Sequence, residues 1–517
     1  MDEAGLAEIL RPRDDIVRET ALGPTEFGID DGPFTAYTRR VDIGAPRADG
    51  LIPVTEVIDY HLAIPYFGIF FALPVRRAMR RFRRFDGSQP WWAPPQRLDV
   101  RAAAVMGTIS AAAVLAGYLG TLISQTLTFI ADEFDVSRSG QGVAGAVVRL
   151  GVVASLAVVA VADRRGRRRV AVAAAVGGIA ASVAGAASPS LAFLVGSQMT
   201  VRMFAAALGT VILVYAVEEM PAGARAYALS LLGMSSALGA GMVLWVLPVA
   251  DLGRRGWRIV YVVPLLALPL IRDIARRLPE SRRFTVPVAG RGHPEGSGLR
   301  SHLPRLLLLG AISFLIAAFL SPADQFRNEF LRDERSFNAG SITLFVTLAG
   351  TPGGLGLLIG GRAADVVGRK LVILTSGVAG LGFLVLVFNT AGPLMWVLAV
   401  VASVISAALL PSLGVYRGEL FPNRFRSRAA GWISVMAVAG SVSGLVVAGR
   451  LADRWDGIGP VMAVLWIAPL LAVVLVLVFL PETSRRELEE LNPEDTEPDE
   501  PSARRRDHGD VSPGADR

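Results

Sequence analysis

V159-A-V-A-D163-R-R-G166-R167-R168 and G361-R-A-A-D365-V-V-G368-R369-K370 are one pattern written twice, about 200 residues apart. A short loop with Gly reverses the chain tightly, Asp can cap a helix N-terminus, and Arg can pair with that Asp or with a lipid phosphate. Each copy lies between two long apolar segments. One copy alone reads as a basic anchor at a membrane surface; two copies at equivalent places read as an internal duplication.

Outward from these loops, apolar segments recur near 102–124, 142–162, 170–188, 191–215, 228–250 and 259–275, and again near 305–322, 342–361, 371–390, 394–415, 429–449 and 459–480. A spanning helix needs ~20 apolar residues, so twelve take up about half of the 517 residues. That agrees with 52% apolar and only 19% charged residues and a mean hydropathy of +0.48. The fold class expected is therefore an all-α integral membrane protein, twelve transmembrane helices in two six-helix bundles (101–275 and 305–480), with a mixed N-terminal region at 1–100. The sixth segment is the weakest, because Arg272 and Asp273 interrupt it. A polar stretch at 276–304 containing GRGHPEGSG reads as a central loop. Residues 481–517 hold twelve acidic residues against six arginines and read as a disordered tail.

Composition also excludes chemistry. Cysteine is absent, and the four histidines lie outside the apolar runs, so no metal site is expected. No Walker loop or nucleotide module is visible, so no cofactor is expected, and the chain is not read as an enzyme. The net charge of +7 is attributed to loops on the cytoplasmic side rather than to nucleic-acid binding. The first residues carry no signal peptide. With the N-terminus inside, arginine and lysine concentrate in the inner loops, so both termini are expected in the cytoplasm and the protein in the plasma membrane.

In the N-terminal region, alternation at Phe34 to Ile43 and Ile52 to Leu62 predicts paired strands. Ile64 to Val75 is apolar but too short to span. It runs into Arg76, Arg77, Arg80, Arg81, Arg83 and Arg84. Two readings stand: an interfacial segment on anionic headgroups, or a packed element of a small cytoplasmic domain. G32-P-F-T-A-Y-T-R-R-V and V54-T-E-V-I-D-Y resemble the last strand, hairpin and helix of a lipid-binding cyclase-like domain.

The paired loops resemble the major facilitator superfamily signature G-x-x-x-D-R/K-x-G-R-R/K between spans two and three. The second copy matches at Gly361, Asp365, Gly368, Arg369 and Lys370. The first keeps Asp163, Arg164, Gly166, Arg167 and Arg168, with Val159 replacing the leading glycine. E218-E-M-P-A-G-A-R225, R417-G-E419-L-F-P422-N-R-F-R426, L278-P-E-S-R-R283 and L480-P-E-T-S-R-R486 are similar to signatures of the sugar-porter and related metabolite:proton symporter branches. The resemblance covers about 101–490. It implies a cytoplasmic gate built on the paired loops with Glu218, Glu219, Arg225, Glu419 and Arg426, whose ion pairs break when the gate opens.

Charges inside spans are functional candidates by default. Arg202 lies midway along the fourth span and is similar to the family's span-four arginine; Arg149 is a second cation in the second span. Asp324 and Gln325 lie in S321-P-A-D-Q-F-R-N-E329 of the seventh. Leu119 stands where sugar symporters carry a first-span Asp, and the doubled glutamine and the tryptophan of sugar porters are missing. The expected function is a monomeric secondary transporter that moves a small polar or anionic organic solute by alternating access, with H+ as the candidate coupling ion. Arg149, Arg202, Asp324 and Gln325 are the candidate binding or coupling residues. A drug or metabolite exporter on the same fold, and a non-transporting membrane sensor, are the alternatives. Gly233, Gly239 and Gly241 in the fifth span, and Gly440 and Gly444 in the eleventh, are read as helix contacts.

Overall fold

The computed structural model describes residues 2–280 and 302–482, apart from 49–50, 82–83, 91, 95, 222–223, 410–411, 415, 417–419, 422 and 456. The central loop and acidic tail expected from the sequence lie for the most part outside these residues.

A small domain precedes the membrane helices. Helix α1 (Glu3–Ile9) is followed by β1 (Arg18–Ala21), β2 (Glu26–Asp31), β3 (Phe34–Ile43) and β4 (Val54–Leu62), an antiparallel meander in sequence order. The strands read from alternation are β3 and β4, paired from Ile43 opposite Val54 to Phe34 opposite Leu62. A bulge between Phe34 and Ala36 resets the period, so Phe34, Tyr37, Arg39 and Val41 all face inward. Helix α2 (Gly68–Arg81) closes this face, burying Val75, Ala78 and Met79 against Ile16, Val17, Phe34 and Tyr37. The Ile64 to Val75 segment is thus largely part of a packed helix, whose outer face leaves Ile69, Phe70 and Leu73 exposed.

The domain core is partly ionic. Arg39 is 0% exposed. Its Nε and Nη2 donate to Glu19 at 2.8 and 2.7 Å, and its Nη1 donates to the Ile9 carbonyl at 2.8 Å. The Phe27 ring lies 3.8 Å beneath the guanidinium. Glu19 also accepts the Tyr37 hydroxyl at 2.5 Å and the Arg13 amide at 2.8 Å, and Arg13 Nη1 donates to the Met79 carbonyl of α2 at 2.9 Å.

Among the described residues, eleven helices are long and apolar enough to cross a membrane. Spans 1 to 5 are Val100–Phe134, Arg138–Val161, Arg167–Ala186, Leu191–Ala216 and Tyr227–Leu252. Spans 7 to 12 are Leu303–Glu334, Ala339–Leu357, Arg369–Phe388, Gly392–Gly414, Ala429–Arg454 and Ile458–Phe479. The sixth is helical in three joined pieces, Trp257–Val262, Val263–Ala267 and Leu268–Arg277, with Pro264 and Pro269 starting the later two. Proline removes an amide donor and tightens the turn. Its charges are used: Asp273 accepts the Tyr66 hydroxyl at 2.6 Å and pairs with Arg277 at 3.1 Å. This is a twelve-helix polytopic membrane fold with an added sheet domain. We call the membrane face carrying that domain the near side and the opposite face the far side.

The helices outrun the apolar windows mainly on the far side, where their charged ends pair with one another. Close crossings depend on glycine. A Cβ on Gly239 would overlap the Val114 carbonyl of span 1, and one on Gly117 would overlap that of Ser236 in span 5. In the second half Gly440 and Gly444 meet the Phe314 and Ala318 carbonyls of span 7 in the same way. Gly233 and Gly241 differ from the expectation, with nothing within 4 Å of their Cβ positions. Gly239→Val is therefore expected to destabilise the first half by about 1–3 kcal/mol or more, with Gly241→Ala close to neutral. Thermal unfolding of the two variants in detergent checks the contrast, and equal stability removes the crossing as its cause.

Candidate functional site: near-side turns, midplane arginines and far-side closure

The two signature loops are held alike. Gly166 and Gly368 take φ of +93° and +119°, a region that favours glycine. Each turn starts a helix whose first amides point at a glutamate from the end of the sixth or twelfth span. Glu280 Oε1 accepts from the Arg167 and Arg168 amides at 2.8 and 3.2 Å. Glu482 accepts from the Arg369 and Lys370 amides at 3.1 and 3.0 Å. A carboxylate here satisfies orphan donors and lies at the positive end of the helix dipole. The buried hydroxyls of Tyr215 and Tyr416 donate to the Pro279 and Pro481 carbonyls at 3.2 and 3.0 Å, fixing both L-P-E segments. Arg167 pairs with Glu218, and Arg101 pairs with Glu219 at 3.1 Å.

Of the gate residues expected from sequence, Gly166, Arg167, Arg168, Glu218 and Glu219 thus come together in the first half, and Gly368, Arg369 and Lys370 in the second. The side chains of Asp163, Arg164, Arg225, Asp365 and Arg426, together with Gly361 and Glu419, lie outside the described residues. The capping role of Glu280 and Glu482 emerges only in the fold; in the sequence its one trace is the recurrence of L-P-E alongside the duplicated glycine turn. Glu280→Ala is expected to cost about 1–2 kcal/mol. Glu280→Ala with Glu482→Ala should cost the sum, because separate sites are independent. Thermal unfolding of the single and double variants tests it.

At mid-membrane, Arg149 lies eleven residues into span 2 and Arg202 eleven into span 4, each about 16 Å from the far side at 1.5 Å per residue. Arg202 Nη1 donates to the Gly120 carbonyl of span 1. Gly151 of span 2 lies against Arg202, its Cβ position 3.1 Å from that of the arginine. Arg149 Nη2 reaches the Ser321 carbonyl of span 7 at 3.5 Å, and its Nε is buried with no partner among the described residues. Gln325, one turn beyond Ser321, is 3% exposed with Nε2 equally unpartnered, and its Oε1 lies 3.3 Å from the Cβ position of Gly145. Arg149, Arg202 and Gln325 thus gather where spans 1, 2, 4 and 7 meet. Asp324 turns along its own helix to Arg327 at 3.4 Å.

On the far side the halves are joined. Arg138 Nε donates to Glu329 at 2.7 Å and its Nη1 to the Ala452 carbonyl at 3.3 Å. Asp453 accepts the Ser139 amide at 3.0 Å, Asn328 donates to the Gln125 carbonyl at 2.8 Å, Arg332 pairs with Asp132, and Asp251 accepts the Ala339 amide at 2.7 Å. One apolar core runs from the first half into the far-side ends of the second, while the near-side part of the second half has a core of its own. The described hydrogen bonds between halves lie at midplane or beyond it, and the near-side pairs given above stay within their own half.

The fold recurs in solved structures. A bacterial homologue of the human lysosomal transporter Spinster, inward-facing and unoccupied, superposes with a TM-score of 0.62 at 13% identity, covering 77% of this chain and 99% of its own. The inward-open xylose transporter XylE from E. coli gives 0.61 at 18% identity, covering 76% and 99%. The nucleoside transporter NupG gives 0.57 at 16%, covering 73% and 98%. The family description "Major Facilitator Superfamily" matches residues 306–507. The fold is that of the major facilitator superfamily. No curated protein sequence matches the chain. Identities this low carry the fold and leave the solute open.

Proposed function

We propose that this protein is a secondary transporter that moves a small polar or anionic organic solute by alternating access, residing in the plasma membrane with both termini in the cytoplasm. The observation that carries the reading is the asymmetry between the two faces. Cross-half ion pairs and a shared core seal the far side, while the near-side pairs described are internal to each half. That is one end state of two rocking bundles. Two half-buried arginines at midplane, Arg149 and Arg202, with no carboxylate in hydrogen-bond contact among the described residues, favour an anionic group on the solute. A panel of organic anions screened by thermal shift identifies the ligand, since binding stabilises the folded state by mass action. Uptake into proteoliposomes with and without a pH gradient then tests transport and the part of H+. Saturable binding with no flux would sink the reading in favour of a sensor.

A second contact supports membrane association of the sheet domain. On the face of α2 turned from the sheet, Ile69, Phe70 and Leu73 are followed by exposed Arg76, Arg77 and Arg80, an apolar-then-basic order suited to acyl chains and anionic headgroups. At ~1 kcal/mol per arginine near a charged surface, changing all three to Gln is expected to weaken the binding of anionic lipid by roughly 100-fold. Thermal stabilisation by phosphatidylglycerol against phosphatidylcholine measures it.

A further inference from the structure

An apolar cavity of about 80 Å³ lies at the seam between the sheet domain and the first half. Phe71 and Val75 of α2 and Trp92 form its domain wall; Met106 of span 1 and Tyr227 and Leu231 of span 5 form its membrane wall. The seam is held around it, since the Tyr227 hydroxyl donates to the Trp92 carbonyl at 3.3 Å and Pro65 lies against Gly107. Arg97, the cation among the lining residues, is spent elsewhere. Its Nε donates to the Asp15 carbonyl at 2.7 Å, its Nη2 to Asp14, and its Nη1 lies 3.9 Å from Asp31. Gln89 gives its amide hydrogens to the Asp15 and Gly87 carbonyls at 2.7 and 3.2 Å.

Ser110 is the exception. It follows Ala103, Met106 and Gly107 at helical spacings of three and four, on the stripe of span 1 that lines the cavity. The residue is 1% exposed, and its hydroxyl is buried with no hydrogen-bond partner among the described residues. A helical hydroxyl commonly bonds the carbonyl four residues back, as Thr108 does to Ala104 at 2.9 Å; Ser110 does not. A water would not serve, because it needs at least two polar partners and Ser110 supplies the one unpartnered buried side-chain atom among the lining residues. What fits is an apolar molecule that brings a single uncharged oxygen. We propose that this seam binds a long-chain alcohol, its hydroxyl on Ser110 and its first carbons among the aromatic walls. A dry apolar cavity of ~150 Å³ accepts benzene, so this one holds a few carbons. Ser110 lies about 15 Å along span 1 from Val100 at 1.5 Å per residue, so the rest of the chain stays at the depth of bilayer hydrocarbon. The site is separate from the midplane arginines and does not rest on the transport reading.

Photolabelling of the full chain in lipid nanodiscs tests it, with octane, octanol and octanoate probes that carry the same diazirine and with labelled residues read by mass spectrometry. Octanol is expected to label Trp92, Met106 or Tyr227 roughly threefold or more above octane, the worth of one neutral hydrogen bond. It should also exceed octanoate, whose charge would be buried without a free partner. Ser110→Ala should bring octanol down to the level of octane, and Ala103→Phe, which fills the cavity, should clear the label from these walls. Ser110→Ala suits a helix and keeps the test open should Ala103→Phe fail to fold. No octanol label on these walls, equal or greater label from octane or octanoate, or an octanol preference that survives Ser110→Ala overturns the site.

Discussion

Arg202→Ala is expected to weaken the binding of an anionic solute by about 2–4 kcal/mol, thirtyfold or more, and to remove its flux. The guanidinium stands at midplane with Nη1 donating to the Gly120 carbonyl, so one edge is fixed by span 1, and the other donors, which make no hydrogen bond among the described residues, can meet a carboxylate or phosphate in a set geometry. Arg202→Lys keeps the charge without the planar fork and should fall between the native chain and the alanine variant. A purely structural arginine would behave differently: its loss would lower the melting temperature and leave the affinity of the remaining folded protein unchanged. Affinity and stability measured on the same preparations separate the two, and native affinity in Arg202→Ala takes the residue out of the site.

The second large effect is expected far from the membrane centre. Glu19→Ala should destabilise the sheet domain by about 3–5 kcal/mol, because removing one partner of a buried pair strands the other. Here it leaves Arg39, at 0% exposure, with the longer Glu56 contact at 3.3 Å as its remaining described carboxylate, and removes the acceptor of the Tyr37 hydroxyl. Alkaline solution attacks the same point. The Tyr37 phenol is held well above its ordinary value, first by burial and next by the negative charge of Glu19. The unfolded chain ionises that phenol near pH 10 while the folded domain keeps it protonated. The unfolded state then binds fewer protons, so this contribution to stability is full below about pH 10 and falls progressively as pH rises above it. Hydrogen exchange of β3 amides, followed with pH in the native and Glu19→Ala chains, reads both effects; exchange unaltered by the substitution would show that the pair is not structural.

The membrane helices were legible in the sequence because apolar length is a property of single segments, and every window found a helix. Their charged ends were not, since D132-E-F, R138-S-G-Q and R327-N-E-F-L-R-D-E334 are too polar to be read as span until their partners across the halves are seen. Alternation gave β3 and β4; β1 and β2 are short and carry adjacent charges, R18-E-T-A and E26-F-G-I-D-D, with no clear period. The midplane arginines were found by being charges in apolar runs. Glu329 stood in the quoted stretch with Asp324 and Gln325, yet only its place opposite Arg138 distinguishes it from an ordinary polar helix end.

The sheet domain touches one half alone among the described contacts. Tyr66 binds Asp273 of the sixth span, the Trp92 carbonyl accepts from Tyr227 of the fifth, and Pro65 lies against Gly107 of the first. If the bundles swing relative to each other, this domain is a passenger on one arm, and its outer edge travels farther than any residue in the bilayer. A fluorophore placed there would magnify a turn of a few degrees, and a binder that clamps the domain to the other arm would stall the cycle without entering the solute path.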